Sequence, residues 1–236
     1  MVPTIVEGFG TKSSYFRRSV MFRFLKIKYL QFLEHCRQKG VGSAIKTVLF
    51  KEEEAVPVVK DLANLKKLAE PTGGGDLKLI EINQENFKEI NIDYPTLSRK
   101  ARASRYFRKG YRSFALVKEG EVLGDLWYVS KKDARAKVVH PHVDWFGIDL
   151  RDDDVYMFDM YFTPDGRGQA LSTYFMNSVL HKLRESGYQN AYGYFASHNI
   201  PALWVHRLVG FRELPRFALR RYFLFETCKP KGTHAG

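Results

Sequence analysis

The sequence predicts an α/β protein with a mixed, mainly antiparallel, twisted central sheet flanked by helices, preceded by an N-terminal helix and β-hairpin. Three observations predict this class. Apolar residues make up 44% of the 236 residues and aromatic residues 14%, enough for a sizeable core. Strand and helix periodicities alternate after residue 76. Segment 155–162 is apolar on both faces, as in a central strand.

The first 75 residues are expected to form an extension that packs against the main domain. A helix is predicted from Ser19 to Lys39, because apolar residues recur on one stripe and Gly40 can end it. Thr47–Phe50 and Ala55–Lys60 are predicted as the two strands of a hairpin, joined by a charged stretch.

A glycine-rich linker divides the chain. The segment Pro71-Thr-Gly-Gly-Gly-Asp76 combines the residues that favour turns and loops. We therefore expect an extension over residues 1–75 and a main domain over residues 76–236.

The main domain is predicted to alternate strands and helices to its end. Residues 131–154 form a polar, irregular insert. Helices are predicted at Glu85–Ile90, Thr96–Phe107, from about 169 to Glu185, and from Asn199 to just before Gly210. Strands are predicted at Leu77–Ile82, Ser113–Lys118, Val122–Val129, Val155–Phe162, Ala191–Phe195, Phe211–Glu213 and Ala218–Phe225.

The charge balance favours anionic partners. Lysine and arginine total 38 against 26 acidic residues, a net charge of +12. This suits a nucleotide cofactor, an acidic carrier protein, nucleic acid or an anionic membrane, and a solvated basic surface is the alternative. No recognised nucleic-acid motif accompanies the charge.

Cysteine usage and hydropathy suggest a location. Cys36 and Cys228 form no metal-ligand pattern or disulfide framework. No apolar run approaches the ~20 residues that span a bilayer, and residues 1–8 lack the features of a secretory signal. We expect a cytoplasmic protein and leave open peripheral contact with the inner membrane face. Either Met1 or Met21 would serve as the natural start.

The turn between the strand 155–162 and the next helix has the chemistry of an anion site. It reads Pro164-Asp-Gly-Arg-Gly-Gln-Ala170. Small residues let the backbone approach a ligand, and free N–H groups at a helix start favour a pyrophosphate. Alone, such a turn is also compatible with a tight turn that has a charged tip.

A second segment sharpens the interpretation. Asn199-Ile-Pro-Ala202 leads through a helix to Gly210-Phe211. The two segments resemble the GNAT superfamily of N-acyltransferases, namely its Pro-x-x-Arg-Gly-x-Gly-x-Gly acyl-CoA loop and its Asn-x-x-Ala…Gly-Phe segment. The resemblance is tight over residues 155–211, loose over 77–226, and absent from the first 75.

The resemblance implies transfer of an acetyl or longer acyl group from acyl-CoA to an amine, without a metal. The strand ending at Phe162 would splay from the strand beginning near Ala191. Residues in four places would bind the co-substrate: Met160, Tyr161 and Phe162 at the pantetheine arm, Gly166, Arg167, Gly168, Gln169 and Ala170 at the pyrophosphate, Ser172 in place of a loop glycine, and Asn199, which would also cap its helix.

Two residues are candidates for proton transfer. Asp159 is a carboxylate inside an apolar strand and could act as the base, or it could be a structural carboxylate bound by an arginine. His206 occupies the place of the tyrosine that many GNAT enzymes use as an acid. It could protonate the thiolate, or it could be a core or surface histidine.

Two further clusters have bland alternatives. His140, His142 and Asp144 lack partners at a known metal spacing, so an ordinary loop is favoured there. The insert around them could help to wall an acceptor pocket. The basic residues of the Thr96–Phe107 helix could meet an anionic acceptor, a carrier protein or the CoA 3′-phosphate, or could form a solvated face.

Three classes of function remain open at this stage. The first is an N-acyltransferase acting on a small-molecule or peptide amine, with acyl-CoA or an acyl carrier protein as donor. The second is a non-catalytic acyl-CoA-binding module, because Ala170, Ser172 and His206 depart from the family pattern. The third is association with a membrane surface or nucleic acid. The acceptor, the acyl chain length and the oligomeric state are not predicted.

Overall fold

Helices and strands alternate along the chain around one large β-sheet. The computed structural model describes residues 11–66, 76–90, 92–135, 139–164, 166, 171–222 and 225–231. The helices are α1 (Thr11–Lys39), α2 (Val41–Leu49), α3 (Leu97–Arg108), α4 (Pro141–Trp145), α5 (Leu171–Glu185) and α6 (Ile200–Val209), with a short 3₁₀ helix at Asn86–Lys88.

The strands follow the same order of description. They are β1 (Phe50–Asp61), β2 (Lys78–Ile82), β3 (Arg112–Lys118), β4 (Glu121–Val129), β5 (Asp154–Phe162), β6 (Asn190–Ala196), β7 (Arg212–Glu213), β8 (Phe217–Tyr222) and β9 (Phe225–Pro230).

One parallel pair interrupts an otherwise antiparallel sheet. The strand order is β2-β3-β4-β5-β6-β1-β8-β9, with β7 beside β1. Within the described residues, β5 and β6 are the only parallel neighbours. The helix α5 connects them, as a parallel pair requires a crossover. The predicted class, a mixed and mainly antiparallel sheet flanked by helices, is confirmed.

Apolar residues form a core on each face of the sheet. On one face, α5 and α6 pack against alternate residues such as Val155 and Met157. On the other face, α3, α4 and the insert pack against Tyr156 and Phe158. Because successive side chains of a strand point to opposite faces, β5 contributes to both cores. The sheet therefore separates an α5/α6 face from an α3/α4 face.

The predicted N-terminal hairpin is wrong, because residues 50–61 form the single strand β1. Residues 47–49 belong instead to α2. The charged stretch stays extended because its partner strand β8 carries the opposite charge. Glu52 lies opposite Arg220, and their side chains form an ion pair of 2.7 Å. Charge alternation across two strands can stabilise such a pair.

The domain organisation also differs from the expected extension and main domain. The chain divides into two units, residues 1–48 and residues 49–236. The strand β1 is hydrogen-bonded between β6 and β8 and so belongs to the larger unit. The expected boundary near residue 75 falls in residues 67–75, which lie outside the described residues. No helix in the described part has both the length and the apolar character needed to cross a membrane.

The other elements agree with the sequence in place and differ in extent. The helix predicted at Glu85–Ile90 is only a 3₁₀ turn, and the last predicted strand, Ala218–Phe225, is two strands, β8 and β9. The first helix begins by Thr11 instead of Ser19, and the irregular insert contains the short helix α4. These differences lie away from β5, β6 and their connections.

Candidate functional site

The strands β5 and β6 diverge and leave a gap in the middle of the sheet. Their parallel register covers Asp154 to Tyr156 against Asn190 to Tyr192. Both strands then continue, to Phe162 and Ala196, without further pairing to each other among the residues described. Backbone groups along these free edges are available to a ligand. This is the splayed arrangement that the sequence resemblance implied.

A β-bulge deforms β5 beside the gap. Trp127 of β4 pairs with Phe158, and Asp125 pairs with Tyr161, so two residues of β5 stand opposite one residue of β4. One of the two, Asp159, has a φ of 52°, in the left-handed region that non-glycine residues rarely adopt. A bulge of this kind redirects side chains and is often found beside active sites.

The guanidinium of Arg99 holds this bulge from the neighbouring helix. Arg99 lies in the first turn of α3 and is only 5% exposed. It donates to both carboxylate oxygens of Asp125 on β4, at 3.0 and 3.1 Å from Nε. It also donates to the backbone carbonyl of Asp159 at 2.7 Å and to its carboxylate at 2.9 Å. One side chain thus ties α3, β4 and β5 together.

The side chain of Asp159 is enclosed by donors. Arg102 donates to both of its carboxylate oxygens at 2.8 Å, and the Tyr106 hydroxyl donates at 3.0 Å. Burial would raise the pKa of Asp159, but Arg102 and Arg99 outweigh it and hold the pKa well below its usual range. A carboxylate in this state accepts a proton poorly. The geometry therefore matches the structural alternative for Asp159 and not the catalytic base.

The predicted pantetheine residues lie on β5 just after the bulge. Met160 and Tyr161 are half-buried, and the Tyr161 ring stacks 5.0 Å from the Arg99 guanidinium. The Phe162 side chain is buried against Phe175 of α5. These contacts leave a role at the gap to the backbone of this segment, as the sequence predicted, and assign the Phe162 ring to the core.

The predicted pyrophosphate turn is described only at its edges. Arg167, Gly168, Gln169 and Ala170 lie outside the described residues, and Ser172 is half-buried in the first turn of α5. The Gly166 N–H donates to the Thr163 hydroxyl at 3.0 Å, so it is already engaged. A Cβ at Gly166 would lie 2.8 Å from the Leu123 carbonyl, so this position accepts no side chain. Gly166 thus shapes the turn, and the expected N–H donation to phosphate does not apply to it.

The helix α6 begins and turns as the sequence predicted. The Asn199 side chain accepts from the Ala202 N–H at 3.2 Å, which confirms its role as N-cap. His206 is 9% exposed, its Nδ1 is 2.7 Å from the Ala202 carbonyl, and its ring packs on Phe195 and Phe211. Burial lowers the pKa of His206, so the ring is neutral near pH 7. A neutral ring whose N–H is bound to a carbonyl is a poor proton donor, which matches the core alternative.

A cluster of histidines and aromatic residues covers the α3/α4 face near the gap. His140 caps α4 and accepts from the His142 N–H at 3.3 Å, and its ring lies 4.5 Å from Phe158. His142 lies 3.1 Å from the Tyr156 hydroxyl. Burial lowers the pKa of both histidines, that of His142 to about 4. In the described part of the chain, no three His, Cys, Asp or Glu residues are grouped to hold a metal.

Sequence reasoning missed a tyrosine and a carboxylate on this face. Tyr194 of β6 lies two residues beyond the last paired position, and its ring contacts His142 at 4.8 Å. Its hydroxyl is 3.5 Å from Glu53 of β1, a carboxylate 6% exposed that also pairs with Lys51. Burial, and then Glu53, raises the pKa of Tyr194 above its usual range. The alternation of β6 could have placed Tyr194 on this face, but nothing local links it to β1.

Comparisons with known proteins give likeness in structure alone. No protein-family model and no curated protein matches this chain. A solved structure of a Drosophila protein is 9% identical with a TM-score of 0.48, and the match covers 80% of this chain and 58% of that one. A protein from Novosphingobium aromaticivorans described as of the GNAT family is 12% identical with a TM-score of 0.45, over 78% and 66%.

A GCN5-related N-acetyltransferase from Kribbella flavida is 13% identical with a TM-score of 0.44, over 84% of this chain and 66% of that one. Proteins of the GNAT superfamily are thus among the solved structures that this chain resembles. The chain covers less than two thirds of the length of each of the three. At these identities and TM-scores the likeness carries no argument about activity.

The Arg99–Asp125 pair generates the first prediction. We expect Arg99→Met to lower the free energy of unfolding by about 3–5 kcal/mol, because it leaves the buried Asp125 carboxylate uncompensated. In the double variant with Asp125→Asn the loss should be smaller than the sum of the two single losses. Urea denaturation of the four proteins measures this. Lys100→Met, one residue along and 57% exposed, serves as the control. An Arg99→Met variant as stable as this control would contradict the assignment.

The buried histidines generate a prediction about pH. The pKa of His142 is lowered from 6.5 to about 4 by burial, so the unfolded chain binds a proton below pH 6.5 that the folded protein refuses until about pH 4. Its contribution to stability is therefore complete above pH 6.5 and is lost as pH falls toward 4, by about 3 kcal/mol. We expect His142→Gln to flatten the fall in unfolding free energy between pH 7 and pH 4. An unchanged slope in denaturation series at half-unit pH steps would refute this.

Proposed function

We propose that this chain is a GNAT-type N-acyltransferase that transfers an acyl group from acyl-CoA to an amine. The observation that carries the proposal is the gap between β5 and β6 with the bulge at Asp159 on its edge. The free strand edges offer backbone groups to an extended thioester arm. The sequence resemblance over residues 155–211 supports the same reading.

The two faces of the sheet would serve the two substrates. The turn before α5 lies on the α5/α6 face, so the nucleotide end of acyl-CoA belongs there, with Ser172 and the residues of the turn as its proposed contacts. The thioester would then pass between the strands. The amine must approach from the opposite face, where α3, α4 and Tyr194 lie.

The proposed reaction is a direct transfer. The neutral amine attacks the thioester carbonyl carbon, a C–N bond forms and the C–S bond breaks. The nitrogen loses one proton and the departing thiolate gains one, which gives an amide and free CoA. Tyr194 is our candidate for the proton donor, because it lies beside the gap and its raised pKa keeps it protonated. An acetyl group is the default donor, and longer chains or a carrier-protein donor remain within the proposal.

A second candidate function is a non-catalytic acyl-CoA-binding module. The observation in its favour is that neither residue first considered for proton transfer is available. Asp159 is saturated by Arg99, Arg102 and Tyr106, and the Nδ1–H of His206 is bound to a backbone carbonyl. A module of this kind would bind acyl-CoA and release no product.

One assay separates the two functions. The protein is incubated with acetyl-CoA and longer acyl-CoAs and a panel of amines, and both free thiol and acylated amine are measured, while calorimetry reports CoA binding. We expect binding of CoA with equal amounts of thiol and amide formed. Binding without amide formation would favour the module, and no association of any acyl-CoA at millimolar concentration would sink both functions.

The role of Tyr194 is a separate prediction. Tyr194→Phe should lower kcat about 10²-fold or more, the usual contribution of a general acid, with little change in the KM for acyl-CoA. Tyr222→Phe is the matched control, because Tyr222 lies 52% exposed on β8. Initial rates at saturating acceptor test the pair. Equal rates for Tyr194→Phe and wild type would remove Tyr194 from the mechanism.

A further inference from the structure

Three cations form a row along the face of α3 that is turned toward the sheet. Arg102, Arg105 and Lys109 follow one another at spacings of three and four residues, so they lie on one side of the helix. All three are half-buried, whereas Lys100 on another side of the helix is exposed. We call these three residues the α3 cation row.

The row extends from the bulge to the wall of the histidine cluster. Arg102 binds the carboxylate of Asp159 at the bulge. At the other end, the Lys109 ammonium lies 5.6 Å from the centre of the Tyr111 ring and is near enough to His140 to help lower its pKa. The ring of His140 in turn contacts Phe158 of β5. The row therefore borders the face from which the amine would approach the gap.

The charges of the row are only partly balanced by the protein. Burial lowers the pKa of Arg105, and repulsion from Arg102 adds to the effect. Burial also lowers the pKa of Lys109, and repulsion from Arg105 adds to it. The carboxylates nearby are already engaged, since Asp159 also binds Arg99 and Glu226 pairs with Arg221 as well as acting on Arg105. An additional anion beside the row would relieve this repulsion.

On the premise of the proposed function, we propose that the α3 cation row binds an acidic group of the acceptor. The acceptor is then a small amine that carries a carboxylate or a phosphate. Half-burial between helix and sheet favours a small molecule, because the surface of a folded protein or a duplex meets exposed cations on a convex face. Arginine recognises carboxylate and phosphate oxygens alike, so the row alone does not separate these two groups.

The test compares acceptors that differ only in the acidic group. Transfer from acetyl-CoA is measured to amino acids and to their uncharged amides, and to amino sugars with and without a phosphate. We expect kcat/KM to be at least about tenfold higher for the acidic member of a pair, as one charge-assisted contact would give. The pair with the larger ratio identifies the acidic group. Ratios near one in every pair would overturn the proposal.

Matched variants assign the preference to the row. Arg105→Gln and Lys109→Gln should each raise the KM for the acidic acceptor about tenfold, with kcat and the KM for the uncharged acceptor unchanged, and Arg105→Lys should restore part of the loss. Lys100→Gln is the control on the exposed side of the same helix. An equal loss in Lys100→Gln, or a loss that also affects the uncharged acceptor, would contradict a role in recognition.

A binding measurement keeps this proposal distinct from the proposed function. Inorganic phosphate and glutamate are titrated into wild type, Arg105→Gln and Lys100→Gln by calorimetry, without any acyl donor. We expect wild type and Lys100→Gln to bind at least one of these anions about tenfold more tightly than Arg105→Gln. Absence of acyl transfer to every amine would defeat the proposed function. Equal anion binding by all three proteins would defeat the inference, whatever the transfer assay shows.

Discussion

The buried guanidinium of Arg99 is the interaction on which the geometry of the candidate site depends. It neutralises Asp125 and, at the same time, holds the backbone carbonyl and side chain of Asp159 at the bulge. A left-handed aspartate is unfavourable by itself, so the surrounding contacts must maintain it. Buried ion pairs add little net stability, because desolvation offsets the attraction, but they disfavour any arrangement that leaves one charge alone. Arg99 therefore specifies one position for β5 relative to α3 and β4, and with it the edge of the gap.

Local patterns predicted the elements that shape the gap. The apolar run Val155–Phe162, the cap at Asn199 and the stop at Gly210 each follow from residues close in sequence, and the structure has all three. The place of β1 between β6 and β8 does not follow from local patterns. Its charged residues resemble a turn until the arginines of β8, more than 150 positions later, are placed opposite them.

Residue type proved a weaker guide to chemistry than environment. Asp159 was singled out as a carboxylate in an apolar strand, and the same strand position brings it within reach of two arginines of α3. In the sequence those arginines look like part of a solvated basic face. Tyr194 and Glu53, which come from β6 and β1, meet only because the two strands are neighbours in the sheet. The register of the sheet, and not the motif, decides which groups face the gap.

The helix α3 connects the two halves of the proposed reaction. Its first turn fixes the bulge through Arg99, and its later turns present Arg105 and Lys109 toward the acceptor face. Arg102 lies between them and already gives its guanidinium to Asp159. Because these residues share one rigid helix, the position of an acidic acceptor would be set relative to the strand edge beside the thioester. A shift of α3 would move both together, so acceptor recognition and the geometry of the gap depend on the same buried contacts.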